Sequence, residues 1–205
     1  MSDVWIVDAV RTPVGNRNGS LANLQAWELG STLIQSLVQR TGIRVSDIDH
    51  LIGGNALYGG GNPTRLAALH ARLPATISAL TIDSQCCSGM DSISLGAQMI
   101  RSGAADMVIA GGLESWSRAP TRISKPIAGE GQPYDRPAFS PWSDRDPDMP
   151  IAAAELAQQH NITRDEQESF AQISHAKAQN ADPSARIIPV GKQDHRPGGC
   201  RAGPA

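Results

Sequence analysis

The sequence predicts an α/β layer fold around a mostly parallel sheet. Two observations carry this. Short β-branched apolar runs recur between residues 4 and 112, and stretches with apolar residues at helical spacing separate them. Strands that alternate with helices in this way build layered folds with crossover connections.

The elements follow in order. "VWIVDAV", Val4 to Val10, is short, β-branched and apolar and reads as a buried strand. "RTPVGNRNGSLAN" is rich in Gly, Asn and Pro and reads as a loop. Ala26, Leu29, Leu33, Ile34, Leu37 and Val38 then fall on one face of a helix that ends near Gly42. "IDHLIGGNAL" is a second strand running into a glycine-rich turn. Pro63 suits the first turn of a short helix, "PTRLAALHARL". "ISALTID" is a third strand. Met90, Ile93, Ala97 and Ile100 mark a helix from about Ser88 to Ser102, expected to be central and buried. "ADMVIAGG" is a fourth strand that stops at two glycines.

Past Arg118 the texture changes. Residues 117–150 carry many Pro and charged residues and no period, which is long for a structureless loop and suggests a functional loop or another subdomain. Two helices follow. The second has Thr163 and Glu166 in capping-box positions and Phe170 and Ile173 on one face. "ARIIPV" suits a last strand, and the tail from Gly191 has no pattern. The organisation read from this is an α/β domain over 1–118, a partial loop domain over 119–190 and an unpatterned tail over 191–205.

Composition narrows the function classes. With 205 residues, 40% hydrophobic and 19% charged, the chain reads as an ordinary globular protein. A net charge of −2 without a basic run gives nothing to neutralise a nucleic-acid backbone. No apolar run approaches the ~20 residues of a membrane helix, and the start lacks the pattern of a signal peptide. Cys86, Cys87 and Cys200 make a poor disulfide framework. Reduced thiols in a cytoplasmic protein are the expectation. None of the five histidines has metal-ligand spacing with another His or Cys, so no metal is expected.

The cysteine pair lies in "TIDSQCCSGMDSI", where a strand turns sharply into a helix. Free N–H groups and the dipole at a helix start favour an anion, and such positions generally lower a thiol pKa. Ser88 and Gly89 are small enough to let an acyl group approach the sulfur. The pattern suits covalent thioester chemistry. It also suits a buried cysteine acting as a small hydrophobe.

"QCCSGM" resembles the nucleophile motif of the thiolases, of the form Q/V-C-x-S-G-L/M. "VDAVRTPVG" resembles the opening of that family, and "GGNPTRLAAL" its G-x-N-P-A-R-x-A-A segment. "AGGLESWSRAP" and "ITRDEQESFAQISHAKA" resemble two further blocks, in the same order. The resemblance implies a thiolase-like layered fold, its first half plus part of a loop domain. It implies that Cys86, which precedes x-S-G, takes an acyl group from a 3-oxoacyl-CoA or an acetyl group from acetyl-CoA. Cys87 is then a packing residue. The coenzyme A thioester is the substrate, no cofactor is needed, and a homodimer or higher homo-oligomer is expected.

Other positions weigh less. Glu114 follows a strand end, where functional residues gather; anchoring a loop is its simpler role. His70 reads as a solvated or partner-facing side chain. His175 matches a structural histidine of the resembled helix. Met149 aligns with a methionine near the family's pantetheine tunnel, but Pro150 and Ala154 stand where Gly and Glu are usual, and Asn16 replaces a Lys or Arg. Thiolases are about twice this length and keep the activating histidine, in a G-H-P-x-G-x-S-G motif, in their second half. That motif does not occur here. The expectation is therefore an N-terminal fragment, inactive alone, with a tail that reads like a shifted or early-ended frame.

Overall fold

The structure is a computed structural model and describes residues 3–181 and 185–190. These divide into two compact units. The first runs to Pro120 and includes 185–190; the second starts at Thr121. The sequence reading placed its boundary after residue 118 and kept 119–190 together. The tail 191–205 lies outside the described residues, with Cys200 and His195.

In the first unit, three parallel strands form the sheet: β1 (His50–Gly54), β2 (Ser78–Ile82) and β3 (Val108–Gly112), in the order β2-β1-β3. His50 pairs with Ser78 on one side and with Val108 on the other. Helix α1 (Ala26–Thr41) and helix α2 (Pro63–His70) cover one face, and α3 (Ser88–Arg101) covers the other. The α/β class and the parallel sheet are as the sequence predicts.

Helix α1 closes where the pattern ends, with Gly42 in the left-handed region (φ 68°) and its N–H on the Val38 carbonyl. Asn62 caps α2 by accepting from the Arg65 N–H, and Pro63 occupies the first turn. The core gathers Ile34, Ile48, Leu51, Ala67, Ala68, Leu73 and Ile77. Each larger aliphatic side chain there contributes about 1.5–3 kcal/mol by leaving water. His70, exposed as a solvated residue would be, also ties α1 to α2. It shares a hydrogen bond of 2.7 Å with the Ser31 hydroxyl and packs edge-on against Trp27.

Three expectations are corrected. Residues 4–10 form no strand, and Trp5 is 79% exposed, with Ile6 and Val7 alike. A strand needs a neighbour for its N–H and C=O groups, and among the described residues this segment meets a bridge beyond its end, where Arg11 pairs with Ile187. "ARIIPV" supplies just that bridge and the buried Val190. Helix α3 forms as expected, but the buried face is Ser88, Ser92 and Gly96, while Met90 is 67% and Ile93 47% exposed. Small residues face inward because the helix lies very close to the sheet.

The second unit has a two-residue antiparallel ladder, β4 (Arg122–Ile123) with β5 (Pro133–Tyr134). An Arg136–Asp146 ion pair follows. Helices α4 (Met149–Gln159) and α5 (Arg164–Asn180) follow that, the second with the Thr163–Glu166 capping box. Phe170 and Ile173 share a face and are exposed. Among the described residues, no helix is long and apolar enough to cross a membrane.

Candidate active site

Cys86 stands in the turn that takes β2 into α3, at the carboxyl end of the parallel strands, where sites collect in open α/β sheets. The turn is tight. Gln85, just before Cys86, has a left-handed backbone (φ 59°), a conformation costing about 1–3 kcal/mol for a residue with a β-carbon. Several hydrogen bonds hold it there. The Gln85 N–H donates to Asp83 Oδ1 (2.8 Å), and the Gln85 carbonyl accepts from the Ser88 hydroxyl (2.6 Å) and the Ser88 N–H (3.1 Å). Ser88 Oγ in turn accepts from the Ser84 N–H at 2.9 Å. The Ser84 hydroxyl donates to Asp91 Oδ2. Both carboxylates near the turn are thus engaged in closing it.

Glycines bring this turn onto the sheet. A β-carbon at Gly54 would overlap the Ser88 backbone, and one at Gly89 would lie 3.3 Å from Gly112. Ser92, fully buried, donates from its hydroxyl to the carbonyls of Gly89 (2.6 Å) and Gly111 (3.1 Å). The first turn of α3 is therefore fixed to the ends of β1 and β3, and Cys86 with it.

Cys86 and Cys87 are both free and exposed. The exposure of Cys87 corrects its reading as a packing residue. It is the N-cap of α3 (φ −85°, ψ −8°) and makes no side-chain capping bond.

Two loops share this end of the sheet. Glu114 accepts from the N–H groups of Ala56 (3.0 Å) and Leu57 (3.1 Å) and from the Asn55 amide (3.0 Å). It anchors the loop after β1, and it does so while exposed. Asn55, buried, escaped the sequence reading. It donates to the Leu113 carbonyl (2.7 Å), accepts from the Tyr58 N–H (2.9 Å), and its own N–H reaches the Ile82 carbonyl (3.0 Å). Asn55 so joins the ends of all three strands. Its only signal is a polar residue directly after a glycine-ended strand.

The two histidines described in the first unit, His50 and His70, do not gather here. His50 opens β1, at the opposite end of the sheet from Cys86. His70 is tied to Ser31. Among the described residues, no hydrogen bond reaches the Cys86 sulfur, and no group of three or more His, Cys, Asp and Glu is placed to hold a metal ion.

The thiolase N-terminal domain model matches residues 4–198. The chain belongs to the thiolase family. The "Acetyl-CoA acetyltransferase" of Schizosaccharomyces pombe is 40% identical to it over 201 residues, covering 92% of this chain and 51% of the relative. The "Probable acetyl-CoA acyltransferase" of Staphylococcus aureus (strain COL) is 37% identical over 202 residues, covering 93% and 51%. The crystal structure of the Bacillus anthracis acetyl-CoA acetyltransferase superposes with a TM-score of 0.82 at 31% identity, over 93% of this chain and 51% of that one. The chain spans about half the length of the relatives it matches.

Proposed function

We infer that this chain is the Cys86-bearing half of an acyl-CoA acyltransferase of the thiolase type. The observation that carries the reading is the placement of Cys86: an exposed thiol on a strained turn held by hydrogen bonds at the sheet's carboxyl end, within the thiolase N-terminal domain match. In the proposed reaction the Cys86 sulfur attacks the carbonyl carbon of a coenzyme A thioester. A carbon–sulfur bond to Cys86 forms, the bond to coenzyme A breaks, and the thiol proton ends on the departing coenzyme A sulfur. A second coenzyme A thiol then takes the acyl group, or the carbanion of acetyl-CoA does so in the condensing direction. Coenzyme A thioesters enter as substrates, and the chemistry asks for no further cofactor. A homodimer or higher homo-oligomer is the assembly proposed.

A second reading has its own support. Met90 and Ile93 on α3, and Trp5 to Val7, leave apolar surface uncovered, as a module that only associates with a partner half would. One experiment separates the two. The chain is incubated with labelled acetyl-CoA and the adduct mapped by mass spectrometry. Slow, stoichiometric acetylation at Cys86, absent from Cys86→Ala, supports the acyltransferase. A folded chain that takes no label at Cys86 leaves only the association module.

A further inference from the structure

Acyl transfer at Cys86 leaves its neighbour unused. Cys87 is a second exposed thiol beside it. The peptide between them is trans, so their Cα atoms lie about 3.8 Å apart. An unstrained disulfide wants about 4.4–6.8 Å, so a direct sulfur–sulfur bond within the pair is disfavoured. One soft atom between the two sulfurs enlarges the ring and removes that demand. Thiolates select soft acceptors. Among the described residues, no third ligand joins the pair to build the four-coordinate shell of structural zinc. The turn is also set in advance by the bonds from Ser88 to Ser84 and Gln85 and from Ser84 to Asp91, so little ordering remains to be done on binding.

We propose that Cys86 and Cys87 form a two-thiol site for a trivalent organoarsenical of the type R–As=O. Each sulfur forms one bond to arsenic. The arsenic–oxygen double bond breaks, and the two thiol protons leave on that oxygen as one water. Arsenic and sulfur keep their oxidation states. The site needs only the two thiols and stands apart from the acyl-transfer reading; where that reading holds, the same ligand silences it by occupying Cys86.

Phenylarsine oxide is the probe, used on the full chain carrying Cys200→Ser. Intact mass should show one phenylarsenic group per chain with one water lost. Iodoacetamide should then label neither Cys86 nor Cys87, and 2,3-dimercaptopropanol should restore both. Cys87→Ser in the same background keeps a single attachment and should hold the group about 10²–10⁴-fold more weakly, the advantage lost with a second tethered contact. Cys87→Ala and far-UV circular dichroism separate loss of the thiol from a disturbed turn. Retention by Cys87→Ser within about tenfold of the parent overturns the proposal. So does a cysteine of the pair that stays open to iodoacetamide at one equivalent of arsenical. Absent acetylation by acetyl-CoA overturns the acyltransferase reading and leaves this one standing.

Discussion

Gly54 at the end of β1 lies directly under Gly89 in the first turn of α3, so close that a β-carbon on Gly54 would come within 2.5 Å of the Gly89 nitrogen. The sheet and the turn that carries Cys86 are in backbone contact at this point. What a side chain would do here follows from close packing: it has no rotamer to escape into.

Gly54→Ala should therefore destabilise the chain by about 1–3 kcal/mol and displace the turn that carries Cys86. Gly112→Ala is the control. Its β-carbon would meet Gly89 at 3.4 Å, an ordinary contact, and its stability should change by less than about 0.5 kcal/mol. Urea unfolding reads the first effect, and the iodoacetamide rate at Cys86 reads the second. Equal midpoints for the two variants would contradict the contact.

Asp49 joins the starts of β1 and β3 as Asn55 joins the strand ends. Its carboxylate accepts from the N–H groups of Asp106 (2.7 Å) and Met107 (3.0 Å), and these bonds hold its pKa below the ordinary 3.8. A lowered carboxyl pKa stabilises the folded state above the unfolded value and loses that effect as pH falls through the folded value. Asp49→Ala should cost about 1 kcal/mol at neutral pH, discounted for exposure. Its deficit should be constant above about pH 5 and shrink below 3.8. Asp49→Asn, an acceptor without charge, should recover part of the stability and lack the acid dependence. Urea midpoints from pH 3 to pH 7 decide this.

These residues also show what the sequence could and could not disclose. Helix α1 was legible because its apolar face and Gly42 agree. The strand-to-helix turn that carries Cys86 was legible from the β-branched run before it and the helical spacing after it. The inward face of α3 was not. Apolar spacing marked Met90 and Ile93 as core, whereas the glycines of β1 and β3 admit only Ser88, Ser92 and Gly96. The run at Val4 to Val10 has strand composition but, among the described residues, no strand beside it, and composition cannot report a neighbour. The β4–β5 ladder and the Arg136–Asp146 pair arise from contacts with no local period. Asn55 was invisible because its role is set by three strand ends meeting.

Glu114→Ala should loosen the loop after β1 more than it destabilises the sheet. It frees the Ala56 and Leu57 N–H groups while the β1–β3 ladder stays whole. Amide exchange at those two residues should rise, and Glu114→Gln, with one acceptor left, should fall between. Unchanged exchange at Ala56 and Leu57 would remove the anchoring role.

Turnover is the last test, and it rests on what Cys86 lacks. Acylation asks for a thiolate and a reachable carbonyl; release asks for an activated second thiol or carbanion and a base. His50 is at the far end of the sheet and His70 is tied to Ser31. A missing general base typically costs about 10²–10⁴-fold. The chain alone should thus show negligible steady-state thiolysis of acetoacetyl-CoA. A polypeptide carrying the other half of a relative's length should restore it, and should also cover Met90 and Ile93, which a fall in bound hydrophobic dye would report. Cys86→Ala should abolish the restored activity. Turnover by the 205-residue chain alone at an ordinary enzymatic rate, on the order of 1 to 10³ per second, would mean that a base within this chain serves Cys86 after all.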